Sequence, residues 1–348
     1  MGRMPILNVA VIGYGLAGKV FHAPLILAVE GLRLRAVVSS NPEKVHADLP
    51  GMTVIPTFEK AIANPEIDLI VIATPNTTHF DFARRALEAG KHVVVDKPFT
   101  LMVAEAESLA SLARSRGLVL SVFQSRRWDA DFLTLRRLLA SGELGEIVHV
   151  ESHYDRYRPV VQARWKEQDG PGSGIWFDLG PHLADQALQL FGPPEAVFAD
   201  LAMQRQGAQA VDYFHVILRY PRLRVILHGA NLVAEPTRRF DVHGTRASYI
   251  KAGMDVQEEQ VRRGIRPGDP AWGVDPLEGT VFEWREGKLQ TRSIPNEVGR
   301  YPDFYCGVRD AILGTGPNPV SAEDGVLVMR VLEAGVRSAA EHREIPFA

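Results

Sequence analysis

Asp96-Lys97-Pro98 and, far downstream, Asp178-Leu179-Gly180-Pro181-His182 supply an ammonium, two carboxylates and an imidazole. That set suits removal of a hydride and a proton from a secondary alcohol. The Lys97 ammonium can hold the alcohol oxygen and stabilise negative charge growing on it as hydride departs. Histidine titrates near neutrality, so His182 can take the hydroxyl proton in oxidation and return it in reduction. Asp178 stands four residues before His182, and on a helix the two share a face, where Asp178 fixes the tautomer or binds a neighbouring substrate hydroxyl. The plainer alternatives are a solvated Lys97 before a turn and a His182 that caps a helix or sits satisfied in a core. His182 with Asp185 also reads as a metal pair, but no further ligand stands at suitable spacing, so no metal is expected. Asp96 is read as orienting the lysine or contacting a nicotinamide ribose.

A departing hydride needs an acceptor, and the chain opens on a signature for binding one. The apolar run 6–12 leads into Gly13-Tyr14-Gly15-Leu16-Ala17-Gly18 and then a breaker-free segment, the strand, glycine turn and helix order of a dinucleotide site. Gly13 permits the tight turn, Gly15 the approach of a pyrophosphate, and Gly18 the close packing of helix on strand, with the helix N-terminus facing the phosphates. Six such residues alone also fit an ordinary loop. The spacing that follows strengthens the reading: Leu32–Val38 is a second strand, 69–73 another that ends in Thr74-Pro75-Asn76, and His92–Val95 runs directly into Asp96-Lys97-Pro98. Thr74, Pro75, Asn76 and His79 are expected at the cofactor, as are Asp96 and Lys97. At the tip of the second strand stands Ser39-Ser40-Asn41 with no carboxylate. Serines, an amide and the nearby Lys44 can hydrogen-bond or neutralise a 2′-phosphate that a carboxylate would repel. NADP is therefore expected, with NAD as the second choice, although Ser-Ser-Asn-Pro is also ordinary turn and cap chemistry.

The elements that position these groups follow from length and pattern. At 348 residues the chain exceeds one typical core, and two domains are expected, 1–123 for the nucleotide and 124–348 for substrate and oligomerisation. The fold class is α/β: strands alternate with helices up to a helix at Val103–Arg116, a stop at Gly117 and a sixth strand at 118–123, a complete doubly wound parallel sheet. Beyond it a helix at 130–140 stops near Gly142, and alternating strands at 147–154, 211–220 and 222–232 announce an α+β domain with one covered sheet face. A helix at 322–340 docks by its apolar positions, and 258–273, rich in Arg, Gly and Pro, is expected to be a surface excursion.

Hydrophobic residues at 46% and charged residues at 23% fit a soluble globular protein. A formal net charge of −3, without basic blocks interleaved with aromatics, argues against nucleic acid or a membrane surface as partner. Cys306 is the only cysteine, so no intrachain disulfide forms and a reducing compartment is expected. The N-terminal apolar run after Arg3 is too short for a signal core or a membrane span, and the expected location is cytoplasmic. Between the two chemical motifs lie Gln124, Arg126, Arg127, Trp128, Tyr157, Arg158 and Trp165. Donors mixed with flat aromatic faces suit a polyhydroxylated ring, and the same residues also suit an interdomain salt-bridge network.

Taken together the motifs resemble the Gfo/Idh/MocA oxidoreductases, the glucose-fructose oxidoreductase and inositol dehydrogenase family, over essentially the whole chain. Residues 13–18 correspond to its nucleotide motif, Asp96-Lys97-Pro98 to its Glu-Lys-Pro motif, and Gly174-x-x-x-Asp178-x-Gly180-x-His182 to its substrate-domain motif. More narrowly, 13–24, Arg126-Arg127-Trp128-Asp129-x-Asp131-Phe132-Leu133-Thr134 and Asp212-Tyr213-Phe214-His215 resemble its branch of NADP-dependent scyllo-inositol dehydrogenases. The resemblance implies a Rossmann domain, a second domain with a large open and mostly antiparallel sheet, catalysis by Lys97, and Asp178 and His182 in the reaction centre. It further implies a cis Lys97–Pro98 bond and a homodimer or homotetramer assembled through that sheet. Two departures stand out. Asp96 replaces the commoner Glu, and Gln124-Ser125 stands where near relatives carry His-Asn, which leaves room for a substrate other than inositol. The sequence thus reads as an NADP-preferring enzyme that interconverts a secondary alcohol and a ketone on a cyclic polyol or sugar. Its alternatives are an aldose or keto-sugar dehydrogenase or reductase of the same family and a non-catalytic NADP-binding redox sensor, which would have no use for Lys97, Asp178 and His182.

Overall fold

The structure, a computed structural model, describes residues 5–235 and 238–347. The outer ends of the two expected domains, 1–4 and 348, lie outside the described residues. Contacts divide the chain into two compact units, Met1–Ser125 with Gln257–Trp272 and Arg300–Val326, and Arg126–Val256 with Gly273–Gly299 and Leu327–Ala348. The first break follows Ser125, and two later segments return to the first unit, so neither unit is one continuous stretch of chain. One of them is the surface excursion expected at 258–273: residues 262–264, 266 and 268–271 are exposed, while a helix forms at Gln257–Arg262 and Val261 and Trp272 anchor its ends by burial. The Gln257 side chain accepts a hydrogen bond from the Tyr301 N–H at 2.8 Å, which ties the two returning segments together.

In the first unit, β1 (Leu7–Ile12), β2 (Leu32–Val38), β3 (Val54–Ile55), β4 (Leu69–Ile72), β5 (His92–Val95) and β6 (Leu120–Val122) form a parallel sheet in the order β3-β2-β1-β4-β5-β6. Continuous apolar runs such as Leu-Ile-Val-Ile in β4 are needed because such strands are buried on both faces, and all four of these residues are. The order reverses between β1 and β4, and the carboxyl ends of strands at such a switch point form the ligand-binding crevice of open α/β sheets. The helix Val103–Arg116 ends, as expected, at Gly117 in the left-handed conformation.

The second unit holds a nine-stranded sheet, β14-β13-β12-β11-β7-β10-β9-β8-β15, built from β7 (Ile147–His153), β8 (Ala196–Ala202), β9 (Tyr213–Arg219), β10 (Arg224–Ala230), β11 (Arg238–Gly244), β12 (Ala247–Ala252), β13 (Gly279–Arg285), β14 (Lys288–Ile294) and β15 (Ile345–Pro346). Among the described residues of this sheet, only the β7–β10 pair is parallel. In β9 buried and part-exposed residues alternate strictly, the period of a sheet covered on one face. The helix Gly174–Phe191 packs on β9 and β10, with the Trp176 ring 5.1 Å from that of Phe214 and its Nε1 donating to the Leu332 carbonyl at 3.1 Å. Among the described residues no helix is long and apolar enough to cross a membrane.

Candidate active site

The glycine turn follows β1 directly. Gly13 has φ +94° and a Cβ there would press on the Ala73 carbonyl beyond β4, while a Cβ on Gly18 would overlap the Gly13 carbonyl oxygen. Both positions therefore exclude side chains for reasons of backbone packing. At Gly15 a Cβ would meet only open space, so the backbone is bare where a pyrophosphate would approach. The helix that follows begins with a wide π-type turn, Ala17–His22, before its α-helical part, Ala23–Leu27. Such turns are rare and concentrate at functional sites. Tyr14 is buried, and burial together with the adjacent Asp48 pushes its hydroxyl up to about 12. Asp48 also pairs with Lys19 at 2.8 Å. Beyond β2, Ser39 bonds to the Asn41 backbone and Asn41 caps the next helix through the Lys44 N–H at 2.9 Å. Turn and cap chemistry thus occupies Ser39 and Asn41, and Ser40 and Lys44 remain exposed at the strand tip.

Lys97 leaves the end of β5, next to β4 in the sheet, and its bond to Pro98 is cis. Asp96 and three buried groups, His22, Tyr305 and His79, fix its surroundings. Asp96 accepts the Lys97 backbone N–H at 2.7 Å, and its other oxygen lies 3.8 Å from His22 Nε2, an ion-pair distance. His22 is fully buried, and its Nδ1 meets the Tyr305 hydroxyl at 2.7 Å. Burial raises the Asp96 carboxyl, but His22 and then the Lys97 ammonium outweigh it and hold the carboxyl below the usual range. Burial, with Asp96 nearby, drives the Tyr305 hydroxyl well up. His79 places one ring nitrogen 2.8 Å from the Pro98 carbonyl and the other 3.0 Å from the Thr74 carbonyl. Only an imidazolium could donate to both, yet burial dominates and lowers its pKa. His79, expected at the cofactor, ties the turn after β4 to the turn after β5, with both its nitrogens engaged by backbone and the ring 1% exposed. Thr74 bonds to Thr78 at 2.6 Å within that first turn, Pro75 is exposed, and Asn76 is buried. Sequence reasoning did not single out His22 or Tyr305. His22 lies inside the run at 13–24, but Tyr305 comes from a segment whose return to this unit nothing in the sequence signals.

In the second unit Asp178 and His182 lie one turn apart on the helix Gly174–Phe191, so the expected helical placement is present. Gly174, at φ +81°, lets the helix begin hard against the Val211 backbone, and Ile175 N–H donates to the Val211 carbonyl at 2.7 Å. Pro181, inside the helix, removes one backbone donor just before His182. Asp178 receives the Lys166 ammonium at 2.6 Å and has Arg156 at 3.8 Å, so its carboxylate stands among cations that the sequence did not assign to it. His182 is nearly buried.

The residues read as substrate contacts separate into two groups. Arg127 forks onto Asp185 at 2.8 and 2.6 Å, and both are buried. Arg126 pairs with Asp129 at 3.3 Å, donates to the Tyr154 hydroxyl at 2.7 Å, and lies over the Tyr154 ring. These two guanidinium groups are committed to internal partners, and Asp185 is thereby taken from the metal pairing weighed with His182. Gln124 is buried and Trp128 half-buried. Tyr157, Arg158 and Trp165 are exposed, the two aromatics by 61% and 42%. The stretch bearing Tyr157 and Arg158 extends alongside the exit of β10 through the Arg156 N–H to the Ala230 carbonyl and the Arg158 N–H to the Asn231 carbonyl. Burial, with Arg156 and Arg164 nearby, lowers the Arg158 pKa.

Comparison with known proteins agrees with this geometry at both ends of the chain. Residues 7–124 match the model of an oxidoreductase family's NAD-binding Rossmann fold, and residues 136–347 match that of the same family's C-terminal alpha/beta domain. An uncharacterized oxidoreductase of Escherichia coli, YdgJ, is 52% identical over 97% of both chains. The scyllo-inositol 2-dehydrogenase (NADP(+)) IolW of Bacillus subtilis is 39% identical over 99% of this chain and 96% of its own. The solved structure of the YPO2259 protein of Yersinia pestis superposes with a TM-score of 0.95 at 50% identity, covering 99% of this chain and 98% of that one.

Proposed function

The chain belongs to the Gfo/Idh/MocA family of oxidoreductases, and from that premise we propose that it interconverts a secondary alcohol and a ketone on a cyclic polyol or sugar, using NADP in preference to NAD. The observation that carries the reading is Lys97 at the carboxyl end of β5, with Asp96 beside His22 and the Pro98 carbonyl pinned by His79. The bare backbone at Gly15 and the side-chain-free contacts at Gly13 and Gly18 fit a dinucleotide. Residues 13–18, Thr74, Pro75 and Asn76 would hold it, with Asp96 and Lys97 at the nicotinamide end. Bound there, the nicotinamide supplies the hydride acceptor or donor.

Lys97 binds the substrate oxygen and stabilises negative charge on it. His182 Nε2 or Nδ1 takes the hydroxyl proton in oxidation and returns it in reduction. Asp178, among Lys166 and Arg156, binds a neighbouring substrate hydroxyl, and Tyr157, Arg158 and Trp165 offer donors and an aromatic face to the rest of the ring. Preference for NADP rests on the carboxylate-free tip of β2, where Ser40 and Lys44 face solvent, and it is in keeping with the cofactor in the name of the Bacillus relative.

The test is reduced-nicotinamide formation with NADP⁺ and NAD⁺ in parallel, across inositols, aldoses and their keto forms. Turnover of an inositol or a sugar, at least about tenfold more efficient with NADP⁺, is expected from the added charge-assisted contacts to a 2′-phosphate. Equal efficiency with the two cofactors would overturn the preference. Tight NADPH binding without turnover of any substrate, together with an unaltered cellular phenotype of Lys97→Ala, would replace the enzyme by a redox sensor.

A further inference from the structure

We propose that His153, Asp155 and His228 form a binding site for a divalent metal ion of the zinc class on the less covered face of the nine-stranded sheet, independent of the oxidoreductase chemistry. Along β7, Val150 and Ser152 are buried, while His149, Glu151 and His153 stand on the opposite, part-exposed side. Parallel register sets His153 beside His228 of β10, and antiparallel register sets His228 beside His215 of β9. Asp155 follows β7 and is anchored there by the Ala230 N–H, which donates to its Oδ1 at 3.0 Å.

One nitrogen from each of His153 and His228 and a carboxylate oxygen of Asp155 lie within 4.8 Å of one another. His153 Nδ1 is 3.2 Å from Asp155 Oδ2, and His228 Nε2 is 3.4 Å from Asp155 Oδ1. Neighbouring ligand atoms in a tetrahedral site with metal–ligand bonds of ~2.0–2.1 Å stand about 3.3–3.4 Å apart, so each nitrogen is already at that spacing from one oxygen of the Asp155 carboxylate, and an ion would draw both nitrogens onto a shared oxygen. The surroundings of the two rings point the same way. A ring that ligates through one nitrogen carries its proton on the other, and that N–H needs an acceptor. For His153 the remaining Nε2 has Glu151 Oε2 at 3.0 Å, and Glu151 is itself steadied by His149 at 3.0 Å. For His228 the remaining Nδ1 has His215 Nδ1 at 3.4 Å. Hydrogen bonding alone accounts for each pair taken separately. A shared ion accounts for the convergence of both ligating nitrogens on one carboxylate and for an acceptor behind each ring.

Two imidazoles and one carboxylate suit zinc or a neighbouring first-row ion, with a fourth position left for water. Held there, the ion clamps the exit of β7 to β10 at the root of the stretch carrying Arg156, Tyr157 and Arg158. The test uses the full chain with any affinity tag removed, stripped by chelator and titrated with Zn²⁺ by calorimetry and with Co²⁺ by visible absorption. Saturation at one ion per chain, with the spectrum of four-coordinate Co²⁺, is expected. His228→Ala and Asp155→Asn should each weaken binding at least ~10-fold and Glu151→Gln by a lesser factor, whereas His46→Ala, on the other unit, should change nothing. Circular dichroism verifies that each variant is folded, and Glu151→Gln carries the test if His228→Ala is not. Absence of saturable binding, or binding unchanged by Asp155→Asn and Glu151→Gln, overturns the site.

Discussion

Lys97 and the glycine turn of the first unit owe their positions to main-chain geometry, whereas Asp178, Arg126 and Arg127 of the second are held by opposing side-chain charges. On the parallel sheet a group at a strand end is placed by the strand itself, and the side chains beside Lys97 act on main chain: the Asp96 carboxylate accepts its N–H, and His79 sits between the Pro98 and Thr74 carbonyls. On the second unit the same kind of placement depends on ion pairs such as Arg127–Asp185, and on Arg239, which is fully buried with Asp131 at 3.1 Å and Ser152 at 2.8 Å. The buried pairs of the second unit leave an uncompensated charge when one partner is lost, whereas a strand end keeps its place.

The largest effect expected from that contrast is on stability. Arg127→Ala leaves the buried Asp185 carboxylate without its fork, and the second unit should lose about 3–5 kcal/mol in chemical denaturation. Arg127→Met with Asp185→Leu should recover most of this, because the pair is then replaced by apolar packing. A loss below about 1 kcal/mol in the single variant, the range of a surface ion pair, would remove the distinction between the units.

A smaller effect is expected on catalysis at Asp178. Its carboxylate is part-exposed among cations, so Asp178→Asn should leave stability nearly unchanged and lower kcat/KM by about 10–100-fold, as expected for a lost charged contact of roughly 1.5–3 kcal/mol. Steady-state kinetics with a saturating cofactor separates this from an effect on NADPH binding. An unaltered kcat/KM would move Asp178 out of the substrate site.

The smallest effect concerns pH. The Asp96 pKa is depressed in the folded state, so the group contributes stability above its unfolded pKa of about 3.9 and loses it as pH falls through the lower folded value. His22→Gln removes the strongest opposing influence on the Asp96 carboxyl, and the acid-unfolding midpoint should move to higher pH. A midpoint unchanged or shifted to lower pH would mean that His22 does not hold Asp96 in its charged form.

The same contrast explains what was legible in the sequence. His92–Val95 and Val103–Arg116 were readable to the residue because Val93–Val95 is a buried apolar run and Gly117 is an unambiguous helix stop, and Leu32–Val38 because Leu34 and Ala36–Val38 are buried while Arg33 and Arg35 point outward. The helical spacing of Asp178 and His182 was readable for the same local reason. Pairings that join distant segments were not: Tyr305 reaches His22 from a segment that returns to the first unit, and Lys166 reaches Asp178 from a single 3-10 turn at Trp165–Glu167. Periodicity carries no trace of such contacts. Strands β13 and β14 were also missed, although Glu286 at φ +52° and Gly287 at φ +72° form a recognisable hairpin turn between them. Arg126 and Arg127 read both as sugar-binding donors and as members of a salt-bridge network, because composition cannot reveal that Asp129 and Asp185 pair with them.

The central claim is that Lys97 acts on the substrate oxygen from a position fixed by the sheet. Lys97→Ala should lower turnover by at least ~100-fold, the scale of a lost charge-stabilising group, while NADPH affinity by fluorescence titration stays within about threefold. Turnover retained in that variant would contradict the account, and so would a loss of activity explained wholly by a loss of NADPH binding.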